Sequence, residues 1–119
     1  MITGIGADII EVARIELAMA RRRGFAERIF TPAEQEYCMA SGNSVQRFAG
    51  RFAAKEAVAK SLGNSFSWLD VEILTDEYGK PVVRLTNRAE DAAGGRKILV
   101  SISHCQTYAV AYAIATFEK

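Results

Sequence analysis

From position 109 to position 115 every second residue is alanine: Ala109, Ala111, Ala113 and Ala115. Val110, Tyr112 and Ile114 stand between them, so residues 108–117 read as a strand. Strand side chains alternate between faces, and one face of this strand therefore carries nothing larger than a methyl group. Such a face suits close packing by a helix. The start of the chain has a related pattern. Gly4, Gly6 and Asp8 share one face of a strand predicted over 1–10, and Ile5 and Ile9 share the other. Glycines weaken a strand interior, so a strand carrying two has something approaching its backbone closely.

The intervening segments supply the helices and more strands. Residues 11–23 read as a helix with Val12, Ile15 and Met19 toward the core and Arg14 and Arg21 on another side. Thr31-Pro32-Ala33-Glu34 is a helix start: Thr31 caps, Pro32 suits the first turn and Glu34 completes a capping box. That helix should stop near Ser41-Gly42-Asn43. A longer helix is expected over 44–62, with Gly63 as its terminator. Strands follow over 69–75 and 81–86 with a turn at 76–80, then a short helix over 87–93 ending at Gly94-Gly95, and a strand over 97–104. The pattern predicts one α+β domain over 1–119, with a largely antiparallel sheet and helices packed on one side.

Composition excludes several classes. The net charge is +1 and no aromatic-basic motif appears, so no nucleic-acid partner is expected. No apolar run reaches the roughly 20 residues that span a bilayer. Cys38 and Cys105 are the only cysteines and no secretory signal precedes them, which predicts a reducing cytoplasm. His104 is the sole histidine, so a zinc site of the usual Cys/His kind is nearly excluded. Arg14, Arg21, Arg22, Arg23 and Arg28 make a local basic surface.

Three residues stand out for chemistry. Asp8 adjoins the glycine face, where an acid can hold a metal or a water; a solvent-facing acid at a strand end is the plainer alternative. Glu56 and Lys60 lie four apart on one helix face flanked by Ala49, Ala53 and Ala57, against the alternative of an exposed Glu-Lys pair. An Asp and a Glu without a His or Cys cluster suit a hard cation. Magnesium fits, because it takes one or two protein carboxylates and draws its other ligands from phosphates and water. Lys60 then suits a phosphate. His104 ends the face of Ile98, Val100 and Ile102, as a capped core histidine or as a phosphate contact or proton shuttle. Cys105 points to the opposite face and reads as a buried small residue.

Three segments together resemble one family. Gly4-Ile5-Gly6-Ala7-Asp8-Ile9-Ile10-Glu11 with Arg14-Ile15, Gly50-Arg51-Phe52-Ala53-Ala54-Lys55-Glu56-Ala57 with Lys60 and Gly63, and Ser101-Ile102-Ser103-His104 with Tyr108-Ala109 match, in order and spacing, the bacterial holo-acyl-carrier-protein synthases. Gly79-Lys80-Pro81 matches as well. The resemblance implies a 4′-phosphopantetheinyl transferase fold. It also implies transfer of the 4′-phosphopantetheine arm of coenzyme A to a serine of apo acyl carrier protein, with adenosine 3′,5′-bisphosphate as the leaving product. Carried over by position, Asp8 and Glu56 become the Mg2+ ligands and Lys60 a contact to the coenzyme A phosphates. His104 lies by the nucleotide, Arg51 meets the 3′-phosphate and Lys80 and Pro81 border the adenine. A homotrimer with interfacial sites is implied, in which Arg51 serves a neighbour.

Chemistry agrees with these roles. Phosphoryl transfer needs positioning and electrostatics more than a covalent enzyme intermediate. Glu56, or a metal-bound water held by Asp8 and Glu56, takes the serine proton. Acyl carrier proteins are acidic, so Arg14 and Arg21 are expected to dock them, with Phe25 adding an apolar contact. The alternative function is a non-enzymatic module that holds a nucleotide or an acidic protein through the arginine helix.

Overall fold

The computed structural model describes residues 1–117. Glu118 and Lys119, the end of the domain expected over 1–119, lie outside the described residues. The elements in order are β1 (Ile2–Glu11), α1 (Val12–Arg21), α2 (Phe25–Ile29), α3 (Pro32–Met39), α4 (Ser44–Leu62), β2 (Val71–Thr75), β3 (Pro81–Leu85), α5 (Asn87–Ala93), β4 (Lys97–His104) and β5 (Tyr108–Thr116). The class is α+β and every strand pair among the described residues is antiparallel. The strands form two sheets rather than one: a three-stranded sheet in the order β1-β5-β4 and a separate β2-β3 hairpin.

The alanine strand is the centre of the larger sheet. Its register builds rows across the inner face: Gly4, Ala115 and Ile98; Gly6, Ala113 and Val100; Asp8, Ala111 and Ile102; Ile10, Ala109 and His104. All four alanines are fully buried beneath α4. The opposite face carries Ile5, Ile9, Leu99 and Tyr112, all exposed in the single chain, with Ile5 at 70%.

Helix α4 begins and ends where its sequence signals stand. Gly63 terminates it in the left-handed region at φ +72°, which costs a glycine nothing. Helix α3 has the expected capping box: Thr31 N donates to Glu34 Oε1 at 2.8 Å and Glu34 N donates to Thr31 Oγ1 at 3.2 Å. Helix α1 stops two residues earlier than its pattern suggested. Gly24 turns the chain at φ +76°, and Phe25 and Ile29, four apart, bury themselves as the separate helix α2. Leu69 is not in β2. It sits in a 3-10 turn, Trp68–Asp70, where Asp70 is buried and accepts from Asn87 Nδ2 at 3.1 Å.

Candidate active site

The two glycines of β1 set the geometry. A Cβ on Gly4 would stand 1.9 Å from the Ser61 carbonyl oxygen, and one on Gly6 would stand 2.0 Å from the Ala57 carbonyl oxygen. Helix α4 therefore lies directly on the strand backbone and runs antiparallel to it. What approaches the glycines is the chain's own helix. Two residues beyond Gly6 on the same face is Asp8, which this contact brings against the Glu56–Lys60 flank of α4.

Lys60 Nζ makes an ion pair with Asp8 Oδ1 at 3.3 Å and donates to the Ala7 carbonyl oxygen at 3.0 Å. The Asp8 side chain is 18% exposed and that of Lys60 54%. The Glu56 carboxyl is raised above its ordinary range, first by burial and then by the negative charge of Asp8, with Lys60 opposing. Two carboxylates thus converge from facing elements, and a cation already stands between chain and solvent to offset them. This donor set fits Mg2+, which needs only one or two protein carboxylates and completes its shell from water and phosphate. Among the described residues no group of three or more His, Cys, Asp or Glu side chains is placed so that it could hold a metal ion.

The other candidates lie elsewhere, and Cys105, expected to be buried, is exposed in the turn between β4 and β5. His104 ends the inner face of β4, exposed, two strands across from β1, which is about 10 Å at ordinary strand spacing. Arg51 precedes Glu56 by five positions on α4, about 140° around the helix axis, and is buried against α3 and β2. Its guanidinium lies 4.2 Å from the Tyr37 ring centroid and Nη2 donates to Thr75 Oγ1. Lys80 and Pro81 line a groove between β3 and β4 that includes none of Asp8, Glu56 and Lys60.

A model of the 4′-phosphopantetheinyl transferase superfamily matches residues 4–113, nearly the whole chain. The chain belongs to this superfamily. A holo-[acyl-carrier-protein] synthase of Alkaliphilus oremlandii is 49% identical over 97% of this chain and 99% of that protein. Among solved structures, a holo-(acyl-carrier-protein) synthase of Bacillus anthracis in complex with CoA (3′,5′-ADP) is 36% identical, covers 97% and 96% of the two chains and superposes with a TM-score of 0.82. The Helicobacter pylori holo-[acyl-carrier-protein] synthase in complex with coenzyme A is 32% identical over 94% and 99%, also with a TM-score of 0.82.

In this superfamily member Arg14 and Arg21 are exposed on α1 and line one groove with Leu17, Arg22 and Phe52. Phe25 lines the same groove but is only 7% exposed, because it opens α2 and packs toward Phe30 with ring centroids 6.5 Å apart. Sequence reasoning also missed what surrounds Glu56. A second pocket beside it is lined by Ser65, Phe66, Ser67 and Trp68, and Trp68 stacks on Phe52 at 4.8 Å. Lys55, next in the chain to Glu56, is buried in an ion pair with Glu34 at 2.8 Å and donates to the Trp68 and Val71 carbonyls. The Lys-Glu step at 55–56 was visible; which member turns inward depends on where α3 packs.

Proposed function

We propose that this chain transfers the 4′-phosphopantetheine arm of coenzyme A to a serine of an apo acyl carrier protein and releases adenosine 3′,5′-bisphosphate. Its main support is the convergence of Asp8, Glu56 and Lys60 across the glycine contact, in a chain similar over nearly its full length to enzymes named holo-[acyl-carrier-protein] synthase. Asp8 and Glu56 hold Mg2+. When bound, the ion supplies positive charge that offsets the charge of the transferring phosphoryl group. Lys60 exchanges Asp8 for a phosphate oxygen of the leaving nucleotide. The serine hydroxyl gives its proton to Glu56, its oxygen bonds to the β-phosphorus, and the bond to the bridging oxygen breaks.

The carrier docks on the α1 groove through Arg14 and Arg21, whose charge complements an acidic partner. The enzyme works as a homotrimer in the cytoplasm, on carriers of fatty acid biosynthesis. Two observations favour an assembly of copies. The outer sheet face with Ile5, Ile9, Leu99 and Tyr112 is apolar and open in one chain. Arg51, Lys80 and Pro81 also lie away from the carboxylates of their own chain, as expected if they serve a neighbour's nucleotide. No helix among the described residues is long and apolar enough to cross a membrane.

The test mixes the protein with apo carrier protein, coenzyme A and Mg2+ and follows the carrier by mass spectrometry. One added phosphopantetheine is expected. Glu56→Gln should abolish the addition while leaving the fold intact, and substantial residual turnover defeats the assignment.

A further inference from the structure

On the flank of α4 turned away from Glu56, two arginines are held without a counter-ion. Arg51 is 6% exposed, yet neither it nor Arg47 makes an ion pair among the described residues. Both guanidinium carbons lie 4.2 Å from the centroid of the same ring, Tyr37. Arg47 Nη1 also donates to the Tyr37 carbonyl oxygen at 2.9 Å, and Arg51 Nη2 to Thr75 Oγ1. Arg51 Nε is buried and has no partner. The nearby Cys38 is no counter-ion either, since burial pushes its thiol up to about 11 and keeps it neutral.

A buried guanidinium without an anion is costly, and like charges four apart on a helix repel. An aromatic face attracts a cation without neutralising it. A ring and a hydroxyl therefore fix the direction of Arg51 and leave its full charge for a ligand. Guanidinium groups take phosphates through paired N–H donors. Arg51 lies about 140° around α4 from Glu56, so it cannot turn onto a pyrophosphate held by Asp8 and Glu56 of its own chain. The remaining phosphate of coenzyme A is the 3′-monoester.

We infer that Tyr37 and Thr75 are positioning residues, which hold Arg51, with Arg47 beside it, as a preset cradle for the 3′-phosphate of coenzyme A. This rests on the transferase reading above and goes beyond the assignment of Arg51 itself: the residues that aim the arginine come from α3 and β2, outside every segment that carries the family resemblance.

Dephospho-coenzyme A, which lacks only that phosphate, separates the cradle from general damage. Tyr37→Leu should raise KM for coenzyme A about tenfold, the size expected when a desolvated cation loses its ring. KM for dephospho-coenzyme A and both kcat values should hardly move. Tyr37→Phe keeps the ring and should behave as the parent, and Thr75→Val should narrow the preference for coenzyme A in the same sense. Equal KM increases for both donors, or a Tyr37→Phe variant as impaired as Tyr37→Leu, overturn the inference. A second measurement needs no turnover. Calorimetric binding of adenosine 3′,5′-bisphosphate against adenosine 5′-monophosphate should show a preference in the parent that Tyr37→Leu loses. A parent that modifies no carrier refutes the transferase reading, while the same nucleotide preference still tests the cradle; its retention in Tyr37→Leu refutes the cradle alone.

Discussion

Gly6→Ala tests the contact on which the whole site depends. The new methyl would sit 2.0 Å from the Ala57 carbonyl oxygen, 2.8 Å from Ser61 N and 2.9 Å from Lys60 Cβ. Moving the nearest atom from 2.0 Å to the 3.4 Å of ordinary contact requires about 1.4 Å of separation between β1 and α4. The obstacle is helix backbone, which cannot rotate aside as a side chain can. Overpacking of this kind costs about 1–3 kcal/mol. In a domain of this size that lowers the melting temperature by about 10 °C. Catalysis should suffer more than stability, because Asp8 meets Glu56 and Lys60 across the same contact. A displacement of about 1 Å at reacting groups costs on the order of 100-fold in rate. The assays are thermal melting and the initial rate of carrier modification by mass spectrometry. Gly42→Ala is the control, since an added Cβ there meets nothing within 4 Å and its backbone is not left-handed. A Gly6→Ala protein that melts and turns over like the parent refutes the reasoning.

Other consequences are open to measurement. Arg14→Ala should raise the apparent KM for the carrier protein more than that for coenzyme A, and the effect should shrink at high salt because exposed charges are screened; equal effects on both substrates remove Arg14 from the docking groove. Lys55→Met leaves Glu34 buried without its cation and should cost about 3–5 kcal/mol in urea unfolding. Glu34→Gln added to it should recover part of that loss, and simple additivity of the two would count against a coupled pair. In metal-free protein with chelator, the raised Glu56 carboxyl binds its proton more tightly folded than unfolded. Its contribution is then complete below the ordinary value of 4.5 and is lost as pH rises through the folded value. Stability should fall across that window, and a Glu56→Gln protein with the same slope contradicts this.

Much of the architecture was legible because it rests on local chemistry. The capping box at Thr31 and Glu34, the Gly63 terminator of α4, the α5 bounds and the extent of β4 follow from residues near in the chain. What failed locally failed for a physical reason. The break between α1 and α2 needed the left-handed turn at Gly24, and burial of Phe25 needed a partner, Phe30, that periodicity does not name. Separation of the strands into two sheets turned on which edges pair, a long-range choice.

The site divides in the same way. Alternation alone put Asp8 on the glycine face and Glu56 with Lys60 on one helix flank, because side-chain direction in a strand or helix repeats with a fixed period. Tertiary structure decided that those two faces meet, by stacking glycine against helix backbone. It also decided that Lys55 turns inward to Glu34, and that Arg51 ends against a ring and a hydroxyl instead of a carboxylate. Spacing along one element dictates which way a side chain points; what it finds there depends on elements distant in the chain, whose placement is set by how the whole core packs.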